Sequence, residues 1–298
     1  MNRPSNGFAK WMAFFLVIFC LVNPKEATGR ANRTEASRPR IKLPIRIYHD
    51  YLVVVKGRIG TLTEQNLIVD TGTAPTILDA SVVGNLGLKV SKGILEGVGG
   101  DKPSQVAMVP DLEVGPIQRT GFQVFVGDLS FLKRDLGIPI AGIVGLDVLG
   151  ERDFRLDYAA REIVFDPTEN ENEVLVPFEA HSPLVILKLQ VDKEPFRLLL
   201  DTGAAGLIFF RSEAGSRMER KAAFDERNGT GVGGSFSVRE INPGNILVGG
   251  KRFRLEKAFL ANDKSMDDRG FDGLMGVGAL GFKSVTFHFA EHTVSFVK

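Results

Sequence analysis

Short aliphatic runs recur along the chain, each closed by turn-forming residues. Leu52-Val53-Val54-Val55, Leu67-Ile68-Val69, Leu198-Leu199-Leu200 and Ile246-Leu247-Val248 are too short for helices and are flanked by glycine, asparagine, aspartate or proline. Such runs predict buried strands. Beyond Gly249-Gly250, Phe253 and Leu255 alternate with polar residues, which predicts a hairpin with the run before it. Helical signals are confined to brief stretches around Leu146 to Gly150 and Ser212 to Phe224. The predicted class is all-β with minor short helices.

Two of these runs end in the same triplet, Asp70-Thr71-Gly72 and Asp201-Thr202-Gly203. A strand that delivers a carboxylate, a hydroxyl and a glycine to a tight turn places an acid at a sheet edge. Further landmarks follow each triplet. Gly142-Ile143-Val144-Gly145 and Gly273-Leu274-Met275-Gly276 each begin 72 residues after their aspartate, so both landmarks repeat with an offset of 131. Leu149-Gly150 and Leu280-Gly281, Tyr158-Ala159 and Phe289-Ala290, and Ile163-Val164-Phe165 and Val294-Ser295-Phe296 keep that offset. Gly97-Val98-Gly99-Gly100 and Gly231-Val232-Gly233-Gly234 repeat with an offset of 134, between the other two landmarks. Landmarks kept in order with so little drift predict an internal duplication.

Each half resembles one unit of the retropepsin-like aspartic proteases, and the pair resembles a single-chain, two-lobed form of that architecture. The matching pieces are the aliphatic-Asp-Thr-Gly turn, the glycine-rich segment and the aliphatic-aliphatic-Gly segment, spanning roughly residues 44 to 298. The resemblance implies two β-barrel lobes related by a pseudo-twofold axis. It implies an aspartic endopeptidase in which Asp70 and Asp201 form a catalytic dyad, sharing one proton because two adjacent carboxylates cannot both ionise. Thr71 and Thr202 would bond across the lobe interface, while Gly72 and Gly203 would bring their amides to the carboxylates. Gly97 to Gly100 and Gly231 to Gly234 would tip two flaps closing over an extended peptide. Ile143, Val144 and Gly145, with Leu274, Met275 and Gly276, would pass behind the acid loops. Three residues after each aspartate the lobes differ: Thr73 can donate a hydrogen bond to Asp70, whereas Ala204 cannot serve Asp201, which predicts that Asp70 ionises more readily. The family's flap tyrosine is missing, since the chain's three tyrosines are Tyr48, Tyr51 and Tyr158. Asp147 faces Gly278 in the repeat and is expected to be local structure.

Charge and composition narrow the alternatives. The N-terminus, with Arg3, Lys10, an apolar run from Trp11 to Val22 and Ala27-Thr28-Gly29, reads as a cleaved signal peptide over residues 1–29. Its removal turns a formal charge of +1 into −1, which leaves no electrostatic footprint for nucleic acid. An exported protein, periplasmic or extracellular, follows from this reading, without stable membrane association after cleavage. Cys20, the only cysteine, leaves with the signal, so disulfides and thiol catalysis are excluded from the mature chain. Residues 30–43 are expected to be a flexible leader or pro-segment, 44–167 the first lobe, 168–174 a linker and 175–298 the second lobe. His288 and His292 lack a third ligand in sequence, so no metal and no cofactor are expected. The partner is a peptide or protein substrate, met by a monomer whose lobes pair within one chain. Four alternatives stay open: a catalytically silent peptide binder on the same fold, lobes paired between two chains, hydrolysis of an unusual substrate such as a cell-wall peptide or one dedicated signalling protein, and an N-terminal segment that stays as an anchor.

Overall fold

The computed structural model describes residues 40–95, 102–168, 173–211, 213–219, 222–231, 234–255, 257–261 and 270–298. The expected signal peptide, leader residues 30–39, Gly97, Val98, Gly99, Gly100, Val232, Gly233 and linker residues 169–172 lie outside them. The chain folds into two β-lobes joined by a shared sheet.

The first lobe is an eight-stranded sheet. In spatial order its strands are Arg46–Tyr48, Leu52–Ile59, Leu62–Val69, Gly142–Val144, Ile77–Asp79, Ile117–Gly127, Lys102–Val114 and Val90–Leu95. An added pairing of Leu52–Ile59 with Lys102–Val114 curls it into a barrel. The second lobe holds nine strands, with Glu194–Asp201 and Gly273–Gly276 near the middle and Ala222–Gly231 at one edge. The aliphatic runs become the central strands because their side chains are buried on both faces: Leu67, Ile68, Val69, Leu198, Leu199 and Leu200 are all fully buried.

A six-stranded sheet joins the lobes. Its order is Ile41–Pro44, Glu162–Phe165, Phe154–Asp157, Ser284–His288, Thr293–Val297 and Val174–Pro177, the first three from the first half and the last three from the second. The seam is antiparallel, with Phe154 opposite Phe287 and Asp157 opposite Ser284. Phe154 and Phe287 meet across it with ring centroids 4.8 Å apart, and Phe289 lies 5.9 Å from Phe154. Buried aromatic pairs of this kind add about 0.5–1.5 kcal/mol beyond their burial.

Two expected boundaries shift. Ile41–Pro44, assigned in part to a flexible leader, is a strand whose Ile41 pairs with Phe165 and Pro44 with Glu162; an Ile-Lys-Leu-Pro alternation is enough to pair at a sheet edge. Val174, the last residue assigned to the linker, opens the strand that pairs with Thr293–Val297. Of the short helical turns expected around Ser212 to Phe224, Glu213–Ser216 forms, and Ala222 already belongs to a strand paired with Gly234–Ile241. Helices Ala80–Asn85 and Ser130–Leu136 are additional.

Candidate active site

The two acid loops are built alike. Strand Leu62–Val69 runs parallel to Gly142–Val144, with Val69 beside Val144, and the Asp70 amide donates to the Val144 carbonyl at 3.1 Å. Strand Glu194–Asp201 runs parallel to Gly273–Gly276, with Asp201 beside Gly276. The segments Ile143-Val144-Gly145 and Leu274-Met275-Gly276 therefore lie directly against the strands that carry the acids, and they are buried. Both glycines are sterically required. A Cβ on Gly145 would stand 2.7 Å from the Pro75 carbonyl oxygen, and one on Gly276 would stand 2.3 Å from that of Ala204.

At the lobe contact the two threonines exchange hydrogen bonds. The Thr71 amide donates to Thr202 Oγ1 at 3.0 Å, and the Thr202 amide donates to Thr71 Oγ1 at 3.2 Å. Each hydroxyl then donates across the contact, Thr71 to the Leu200 carbonyl and Thr202 to the Val69 carbonyl, both at 2.8 Å. All four bonds are buried, so no water competes for them. The reciprocal pattern has twofold form and fixes how far apart the acids sit.

Asp70 and Asp201 are both fully buried. Gly72 donates its amide to Asp70 Oδ1 at 2.8 Å, and Gly203 donates its amide to Asp201 Oδ1 at 2.7 Å. Oδ2 of each aspartate is buried without another protein partner. The carboxyls are close enough to bond each other when one holds a proton. A Cβ on Gly72 would lie 2.4 Å from Asp201 Cγ, so glycine here is what lets one acid loop reach the other's carboxylate.

The electrostatics follow from burial. Removal from water raises Asp70 to about 7, opposed by the Gly72 amide and by the bond from Asp201. Burial raises Asp201 well above the usual range, and the Asp70 charge and the bond donated to Asp70 raise it further. Two carboxyls this close and this deeply buried disfavour double ionisation, so they titrate as a pair rather than as separate groups. Such a pair can take a proton from one atom while giving one to another.

The hydrogen bond expected from Thr73 to Asp70 is not formed. Thr73 Oγ1 donates to the Pro75 carbonyl at 2.9 Å within its own turn; a hydroxyl two residues from a carbonyl in a tight loop satisfies itself locally. Ala204, buried in the other loop, has its amide 3.4 Å from the Asp201 carbonyl. Asp147 does have a local role. Its Oδ1 accepts from the Thr76 hydroxyl at 2.7 Å and its Oδ2 from the Thr76 amide at 3.0 Å, while Thr76 Oγ1 accepts from the Gly145 amide at 3.2 Å. These bonds fasten the first acid loop to helix Leu146–Leu149. The second loop, with Leu207 at the matching position, is held by Gly276 donating to the Gly206 carbonyl at 2.8 Å.

The described strands on either side of both expected flap segments pair antiparallel. Val90–Leu95 pairs with Lys102–Val114 as far as Leu95 opposite Lys102. Ala222–Gly231 pairs with Gly234–Ile241 out to Gly231 opposite Gly234.

Two tyrosines went unassigned in the sequence. Tyr51 is buried in the turn before Leu52–Ile59, and its phenol is pushed up by burial, then by the charges of Asp135, Asp201 and Asp70. Tyr158 has a buried hydroxyl without a partner, pushed up by burial and then by Asp201. Its sequence signal was a departure within the repeat, where the matching residue is Phe289.

Residues 55–148 match the family model described as aspartyl protease. That stretch contains the first acid loop, the first hairpin and the segment behind the loop. No curated protein matches the chain.

Proposed function

We propose that the protein is an exported aspartic endopeptidase whose single active site is built by Asp70 and Asp201 from the two lobes, a reading supported by the match of residues 55–148 to the aspartyl protease family model. The observation that carries this reading is the buried, proton-sharing carboxyl pair held by reciprocal threonine bonds. Asp70, as base, takes a proton from a water as its oxygen bonds to the peptide carbonyl carbon. Asp201, as acid, gives its proton to the carbonyl oxygen. Collapse of this tetrahedral intermediate breaks the carbon–nitrogen bond, the leaving nitrogen takes up the proton held by Asp70, and Asp201 regains one from the collapsing hydroxyl. The dyad returns to its starting state without a metal or organic cofactor.

The substrate lies extended between the two hairpins and pairs with them as an added strand. The proposed assembly is a monomer, a reading supported by the pairing of both acids and both halves of the joining sheet within one polypeptide. Export rests on the basic, apolar and small-residue order of residues 1–29. Among the described residues, no helix is long and apolar enough to cross a membrane.

The test is cleavage of a peptide library from about pH 3 to 8, a range that brackets a raised carboxyl pair. Asp70→Asn and Asp201→Asn should each cut turnover by at least about a hundredfold, the lower end of what a positioned acid or base supplies. Activity that survives either change refutes a shared dyad, and peptide binding without cleavage by the unaltered protein assigns it to the silent binders.

A further inference from the structure

The joining sheet carries a second cluster of ligating side chains, which the dyad does not use. Asp153 directly precedes Phe154–Asp157, and the pairing of Phe154 with Phe287 sets it opposite His288, the last residue of Ser284–His288. Glu291 reaches the same place from the turn that follows. One ligand atom from each of Asp153, His288 and Glu291 lies within 4.8 Å of the others. Asp153 comes from the first lobe, His288 and Glu291 from the second.

The surroundings aim these groups rather than neutralise them. Asp153 Oδ1 accepts from the Phe289 amide at 2.9 Å, which fixes the carboxylate and leaves Oδ2 available. His288 is 8% exposed, with Nε2 3.4 Å from Ser295 Oγ. Ser295 in turn donates to Glu173 Oε2, and Glu173 Oε1 is buried without a partner. Among the described residues, no lysine or arginine pairs with Asp153 or Glu291, and the nearby Arg152 is taken by Asp166. Among the described residues, two carboxylates thus gather on one largely buried imidazole without a lysine or arginine paired to either.

One imidazole nitrogen with two carboxylate oxygens is a donor set for zinc, whereas calcium or magnesium would select oxygens alone. Tetrahedral bonds of about 2.0–2.2 Å bring ligand atoms to roughly 3.3–3.6 Å from one another. The exposed Glu291 can close that gap by changing rotamer, since no bond holds it elsewhere. We propose that Asp153, His288 and Glu291 bind a divalent transition cation of the zinc type, which clamps the two lobes at the rim of their shared sheet. His292, four residues from His288, takes no part; its ring packs on Phe178 with centroids 5.5 Å apart.

The protein, stripped with a chelator, is titrated with zinc chloride by calorimetry and melted with and without the metal. One saturable site per chain is expected, with a rise in Tm of about 5–10 °C at a hundredfold excess over Kd. Glu291→Gln, at an exposed position that leaves the core intact, and Asp153→Asn should each weaken binding by at least about tenfold. His292→Gln and Asp201→Asn should bind as the unaltered protein does, which separates this cluster from the paired histidines and from the dyad. Failure to saturate, binding that persists in both Glu291→Gln and Asp153→Asn, or binding lost in His292→Gln or Asp201→Asn overturns the proposal.

Discussion

Replacing Thr71 by valine keeps the shape of the side chain and removes one buried oxygen. That oxygen accepts from the Thr202 amide and donates to the Leu200 carbonyl. The amide, fully enclosed, loses its partner and costs about 1–3 kcal/mol, and the carbonyl adds about 1 more, so the change should cost about 2–4 kcal/mol. A domain is stable by only about 5–15 kcal/mol, which makes this a large share. With a urea slope near about 3 kcal/mol/M, the unfolding midpoint should fall by about 1 M. Thr71→Ser keeps the oxygen and loses a methyl, for a cost of about 0.5–1.5 kcal/mol and a shift below about 0.5 M. Urea unfolding of the two variants beside the parent reads both numbers. Turnover should fall with valine and survive with serine, since the oxygen also fixes the spacing of the acids. A valine variant that unfolds within about 0.3 M of the parent, or a serine variant as weak as valine, would refute the view that these bonds hold the lobes in register.

Two further outcomes follow from the same geometry. Asp70 and Asp201 have folded values raised above their unfolded ones, so the folded chain binds more protons between pH 4 and 7 and stability declines as pH rises through that window. Asp70→Asn, which needs no proton, should flatten this decline and unfold at higher urea than the parent at pH 7, while losing activity; urea midpoints at pH 4.5 and 7.5 check it. Gly72→Ala would drive a methyl into Asp201 Cγ, 2.4 Å from the ideal Cβ, and should abolish turnover even where circular dichroism shows a folded chain.

The acid loops could be read from sequence because continuous aliphatic runs such as Leu67 to Val69 have few fates besides a buried strand, and the residues ending them carry the chemistry. The joining sheet could not. Its seam pairs Arg155 with Thr286 and Asp157 with Ser284, polar residues whose partners lie some 130 positions away, and no local pattern states that register. Ile41–Pro44 was hidden by the charged stretch before it, and helices of six or seven residues offer too few turns to show a period. Thr73 had two acceptors within reach, Asp70 and the Pro75 carbonyl, and sequence alone does not rank them; the nearer carbonyl won. The cluster at Asp153 was invisible for the same reason as the seam, since it depends on the pairing of Phe154 with Phe287.

The shared sheet and the threonine exchange fasten the lobes at two levels, one beneath the acids and one beside them. A jaw fixed at both levels does not gape, because parting the lobes would strip the Phe154–Phe287 contact and four buried hydrogen bonds together. Under the proposed function, entry to the acids falls to the hairpins, whose outer strands Val90–Leu95 and Ala222–Gly231 each close one edge of their sheet. A protease of the proposed kind would admit a single threaded strand and turn away a folded domain, so its target would have to offer a loose end or an exposed loop before it could be cut.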